Sequence, residues 1–164
     1  MRPPPGSIRT RPLAEFAFSA FGEIIVTPGA VRLPINDGRC VRHHALAEVD
    51  VDDSPVISVF ESEAVAFPYA LTLLERHPLG SQAFVPLGPD RWMIVVAPDE
   101  KGVPGMPMAF IVPPGVGVNL RRGVWHAPLT PLDQPARFLV VDRGGADNLQ
   151  EHKLPEPLTV IEAI

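Results

Sequence analysis

A chain of 164 residues, 46% hydrophobic and 20% charged, has the size and apolar content of one folded domain, whereas disorder needs the opposite balance. Its 21 prolines, roughly 13% against a usual share of about 5%, exclude a helix bundle, because a proline inside a helix removes a hydrogen bond and clashes with the preceding turn. One cysteine, Cys40, excludes an internal disulfide and a paired-cysteine zinc site, and a net charge of -5 disfavours nucleic acid as the main partner.

The chain starts Met1-Arg-Pro-Pro-Pro-Gly, without the apolar stretch of a secretory signal, and no window approaches a membrane span. A cytoplasmic protein is the expectation. Pro3 to Pro5 read as extended tail. Pro12, Leu13 to Phe21 and then Gly22 predict one short helix, with proline at its first position and glycine at its exit. Asp50, Asp52 and Asp53 read as a solvated acidic patch, since the spacing and glycine of an EF-hand loop are missing. Short β-branched or aromatic runs then predict strands at 57–60, 69–77, 82–87, 92–97, 108–112, 117–120, 124–129 and 137–142. Punctuation such as Gly88-Pro-Asp90 and Pro113-Pro-Gly115 separates them. Asp142 and Arg143 read as a turn with a local ion pair, and Pro155 with Pro157 as a second extended tail. Many short strands without β-helix-β alternation predict a sandwich or barrel.

Two segments carry candidate chemistry. Alternation along a strand sends Tyr69, Leu71, Leu73, Glu75 and His77 to one face, and Gln82 can fold back opposite them after the Pro78-Leu-Gly80 turn. A carboxylate and an imidazole two residues apart can both reach one ion. The bland reading of this stretch is a strand running out of the core into solvent. His126 follows a glycine turn and Trp125; alone it reads as a core histidine, and Trp125 as packing. Two separated segments that each offer imidazole are what a pocket-lining metal site requires. His43 and His44 are adjacent, so at most one of them can enter a pocket.

Glu75-x-His77, four residues, Gln82, five residues, Gly88 resembles the first cupin motif, and Gly115, five residues, Arg121-x-Gly123, two residues, His126 the second. More narrowly, the runs 75–87, 117–129 and 138–148, with Asn36-Asp-Gly and Arg42-His43-His44 before them, resemble the ureidoglycolate lyases, long called ureidoglycolate hydrolases. The resemblance covers nearly the whole chain. It implies a single domain over 1–164: a mostly β, cupin-like barrel (jelly roll) with a short N-terminal helix. It also implies cleavage of ureidoglycolate to glyoxylate and urea in allantoin breakdown, a homodimer, and a divalent metal ion such as nickel, zinc or manganese.

The implied ligands are His77, Gln82 and His126, with Glu75 as a fourth ligand or as the general base. His44 is the implied proton donor. Arg42, Arg76 and Arg121 are candidates for the substrate carboxylate, and Gln82, Asn119 and Trp125 join the implied substrate-contacting set. Departures from the family pattern are Leu120-Arg121 in place of the usual Tyr-His, Ala127 in place of a second histidine, and Leu149 in place of a cysteine. Rival readings are an amidohydrolase releasing ammonia, another metal-dependent cupin enzyme, and a non-catalytic module that binds a small carboxylic acid. Pro78, Pro86, Pro113, Pro114 and Pro128 flank the candidate segments, where proline would end strands and aim the site residues.

Overall fold

The computed structural model describes residues 5–163. In chain order its elements are β1 (Ser7–Pro12), α1 (Glu15–Phe18), β2 (Gly22–Ile25), β3 (Val31–Ile35), β4 (Cys40–His44), β5 (Pro55–Ser62), β6 (Tyr69–Arg76), β7 (Gln82–Pro86) and β8 (Trp92–Ala97). They continue with β9 (Asp99–Glu100), β10 (Val103–Pro104), β11 (Met108–Val112), β12 (Gly117–Leu120), β13 (Trp125–His126), β14 (Thr130–Pro131), β15 (Ala136–Arg143) and β16 (Gln150–Ile161).

Six strands close into a mixed ring in the order β11-β1-β16-β6-β13-β8, because β8 also pairs with β11. A five-stranded sheet, β2-β12-β7-β15-β5, forms a second layer. Strand β8 shows how the layers meet. Its six residues are all buried, and they divide by alternation between two apolar clusters. Trp92, Ile94 and Val96 join Phe84, Val118, Leu120, Phe138 and Val140 of the five-stranded sheet, so this cluster fills the space between the layers. Met93, Val95 and Ala97 join Leu71, Leu74, Ala109, Trp125 and Val160, all carried by strands of the ring. Each fully buried large side chain, such as Phe138 or Leu74, contributes about 1.5–3 kcal/mol. This is the expected cupin-like β-barrel, with two cores rather than one.

The elements differ from expectation in several places, and β2, β3, β4, β9 and β10 have no expected counterpart. The N-terminal helix is a single turn, and Pro12 ends β1 rather than starting a helix, because residues 10–12 pair in parallel with β11. Leu71 and Leu74, three apart, enter the same cluster, so the alternation predicted from Tyr69 to His77 breaks between them, opposite a register shift in β16. Of the stretch 124–129 only Trp125–His126 is strand, as β13, and a bend around Pro128 leads on to β14. The supposed C-terminal tail is the longest strand, β16; Pro155 and Pro157 lie within its register shift, where their missing N–H groups leave no ladder bond unmade. At the other end, Pro3 and Pro4 lie outside the described residues. Pro78, Pro113, Pro114 and Pro128 stand just beyond strands, and Pro86 is the last residue of β7.

Candidate metal centre and active site

Glu75 and His126 are directly paired across β6 and β13. His77 follows the end of β6, and its carbonyl accepts from the Gly123 N–H at 2.9 Å, which ties this strand end to the turn before β13. Gly123 has φ +76°, a left-handed conformation that side chains rarely adopt. One ligand atom from each of Glu75, His77 and His126 lies within 4.8 Å of the others, so the three could hold a metal ion. Gln82 opens β7 in the facing layer and lines the same cavity of about 430 Å³ as Glu75 and His126.

Hydrogen bonds fix which atoms face this space. His77 Nδ1 lies 2.7 Å from the Asn148 carbonyl oxygen and His126 Nδ1 lies 2.9 Å from that of Val124. A carbonyl only accepts, so each Nδ1 carries a proton and each Nε2 is the ring atom left without a partner. Gln82 Nε2 donates to Asp142 Oδ2 at 3.1 Å, which leaves Oε1 free. Both Nε2 atoms and Gln82 Oε1 are buried without a protein partner. Buried polar atoms are normally satisfied, so three of them beside one carboxyl group form an N/O donor set that fits a divalent cation.

Burial holds the His126 imidazole down to about 4; the Val124 hydrogen bond opposes this and His77 adds to it. His126 is therefore neutral at pH 7, and its 3.7 Å approach to Glu75 Oε1 is not an ion pair. Burial also pushes Glu75 up; His77 opposes that shift, while Glu151, paired opposite it on β16, reinforces it.

Four of the expected site residues, Glu75, His77, Gln82 and His126, come together, and six do not. Arg76 and Trp125 project to the other side of their strands. Arg76 stacks 4.4 Å over the Trp125 ring, and both side chains bind Asp99 Oδ1, at 2.6 and 2.9 Å. They neighbour Glu75 and His126 in sequence, and alternation sends neighbours to opposite faces. Asn119 lies between the core residues Val118 and Leu120 and faces the other way, donating to Glu23 Oε2 at 2.7 Å and to the Glu48 carbonyl at 2.8 Å. Arg121 donates to the Ser19 carbonyl. Arg42 and His44 are exposed on the β3–β4 hairpin. His44 and Arg121 line a larger cavity of about 670 Å³, which shares no lining residue with the first and contains no comparable donor cluster among the described residues. The donor cluster lies at the smaller cavity.

Two groups at the site were missed by the sequence reading. Asp142, read as part of a local turn pair, instead orients Gln82, and Asn148 holds His77 through its carbonyl and Leu79 N–H through Oδ1 at 2.7 Å. The signal for Asp142 was available: Phe138, Val140 and Asp142 share one face of β15, and the first two are core. Arg143 pairs with Asp53, and Arg122 with Asp50 and Asp52, so the acidic patch is an ion-paired surface.

No helix of the described residues is long and apolar enough to cross a membrane. The family described as ureidoglycolate lyase matches residues 5–161. The chain is 46% identical over 154 residues to a protein named ureidoglycolate lyase 2 from Rhizobium meliloti, covering 92% of this chain and 94% of that one. It is 47% identical over 152 residues to a ureidoglycolate lyase from Rhodobacter capsulatus, covering 91% and 94%. A third relative, a ureidoglycolate lyase from Chelativorans, is 43% identical over 157 residues, covering 93% and 95%. With its barrel, its paired cupin-like segments and these relatives, the chain belongs to the ureidoglycolate lyase family.

Proposed function

We propose that this protein is a ureidoglycolate lyase that splits ureidoglycolate into glyoxylate and urea with the help of a divalent cation, as a step of allantoin and purine breakdown. The observation that carries this reading is the gathering of ligand atoms of Glu75, His77 and His126 within 4.8 Å of one another in a chain from this family. The substrate is a carbinolamine bearing a carboxylate. Its cleavage requires loss of the hydroxyl proton, conversion of that oxygen to a carbonyl as the C–N bond breaks, and protonation of the departing nitrogen. Glu75, whose raised pKa suits a proton carrier, takes the hydroxyl proton and returns it to the urea nitrogen, so the reaction needs no net proton. His77, His126 and Gln82 would hold the cation, with Nε2 and Oε1 as donor atoms. When bound, the ion supplies the positive charge that a carboxylate and a developing alkoxide require. The cavity's lining residues include no lysine or arginine, which supports this role. The donor set suits nickel, zinc or manganese alike.

The test is to supply ureidoglycolate to chelator-treated protein, alone and with Ni²⁺, Zn²⁺ or Mn²⁺, and to assay urea, glyoxylate and ammonia. Urea and glyoxylate in equal amounts are expected. Ammonia would overturn the lyase reading in favour of an amidohydrolase, and no turnover with any ion would leave a binding module. Glu75→Gln should lower kcat by about 10²- to 10⁴-fold.

We further propose that residues 1–164 form one domain, that the protein acts in the cytoplasm and that it is a homodimer. β1 and β16, near the two chain ends, pair within one ring, which supports the single domain. The exposed free Cys40 suits a reducing compartment. The β3–β4 hairpin pairs with no other described strand, yet carries exposed Val31, Leu33, Ile35 and Val41, and the edge strand β5 exposes Ile57 and Val59. An isolated two-stranded hairpin is marginal in water, and a second copy would cover both apolar surfaces.

A further inference from the structure

We propose that Asp142 is a positioning residue that turns the Gln82 amide so that its oxygen, and not its NH₂ group, faces the cation site. The inference rests on the metal-assisted reading above. An amide is nearly symmetric in shape, so packing alone does not choose between its two orientations. Chemistry does. A carboxylate oxygen can only accept, and Asp142 Oδ2 stands 3.1 Å from the Gln82 nitrogen, so the reversed amide would place two acceptors against each other. With the amide held this way, Oε1 is buried, unpartnered and in the same cavity as Glu75 and His126. The reversed amide would present N–H donors to a cation and would add repulsion where a ligand is needed. Asp142 is well anchored for the task. It pairs with Val56 of β5 in the ladder, and the next residue, Arg143, donates to the Ala146 carbonyl at 2.9 Å and to Asp53 at 3.0 Å.

The experiment compares D142N, D142L and D142L/Q82E with the parent protein, each treated with chelator and then titrated with Mn²⁺ by calorimetry. The Gln82 side-chain amide is followed by ¹H–¹⁵N NMR without metal. D142N offers an amide that can accept or donate, so it no longer excludes the reversed Gln82 and should bind Mn²⁺ more weakly than the parent. D142L should lower Mn²⁺ affinity by about 10- to 100-fold, the usual effect of losing an outer partner of a metal ligand. A carboxylate offers oxygen in either orientation, so D142L/Q82E should recover the binding that D142L loses; damage to the fold would not be repaired this way. In the spectrum, one Gln82 amide proton should be shifted and protected in the parent and released in D142L. Parent-like Mn²⁺ binding in D142L, failure of D142L/Q82E to recover it, or a Gln82 amide equally unprotected in parent and D142L would each overturn the proposal. A parent protein that binds no divalent ion would overturn the metal reading, while the amide spectrum would still decide the orientation.

Discussion

At the scale of single residues, His126 joins sequence chemistry to a measurable property. Its imidazole is buried and held down to about 4, against an ordinary value of 6.5. Between those values the unfolded chain binds a proton that the folded protein refuses, so stability falls as pH drops from 6.5 towards 4 and is unaffected above that window. The full difference amounts to about 3 kcal/mol. Glu75 acts in the opposite sense. Its raised carboxyl keeps a proton in the folded state that the unfolded chain has lost, so its contribution declines as pH rises from 4.5. Urea unfolding of the metal-free protein at pH 7 and pH 4.5 should therefore show a weaker fold at the lower pH. His126→Gln should flatten that decline and Glu75→Gln should steepen it. An unaltered decline in His126→Gln would place the acid sensitivity elsewhere.

At the scale of elements, the site depends on short connections more than on long strands. The turn Arg121 to Gly123 brings β12 to β13, and through Gly123 N–H it also grips the carbonyl of His77. A side chain at position 123 must be held at φ +76°, and Gly123→Ala should cost about 1–3 kcal/mol. Because the turn holds His77 and His126 in one register, the same variant should weaken metal binding more than a core truncation of equal cost, such as Ile94→Val. Equal metal affinity in the two variants would show that the turn serves stability alone. The strands bearing Gln82, His126 and the core run 92–97 were legible because β-branched and aromatic residues alternate with turn residues. The last strand was not, since Gln150–Ile161 carries charge and two prolines and forms only by pairing with β1 and β6.

At the scale of the whole molecule, two cores share the strand β8, and the donor cluster lies beside the one between the layers, where Phe84 approaches His126 at 6.4 Å between ring centroids. The ring core contributes rigidity: it buries Leu74 and Trp125, the neighbours of Glu75 and His126, and so fixes the backbone that presents both site residues. The β3–β4 hairpin stands apart from both cores. If a second copy covers it, charges placed on its apolar face should separate the subunits. V31E/L33E/I35E, three exposed positions on one face of the hairpin, should elute as a monomer in size-exclusion chromatography with light scattering and keep the far-ultraviolet spectrum of the parent. A variant that remains dimeric would move the interface to β5 or elsewhere.

The sequence by itself determined the class of fold, the family and the residue types of the donor set. Turn punctuation, period-two patterning and the spacing of Glu75, His77, Gln82 and His126 are local properties that survive without coordinates. The tertiary structure decided which neighbours face the cavity. It turned Arg76, Trp125 and Asn119 away and left Arg42 and His44 exposed on a separate hairpin. It also brought Asp142 and Asn148 to the donor atoms across 60 and 71 residues of chain. The physical reason is that a strand offers each residue one of two faces, but only the packing of one layer on another decides which face becomes a site.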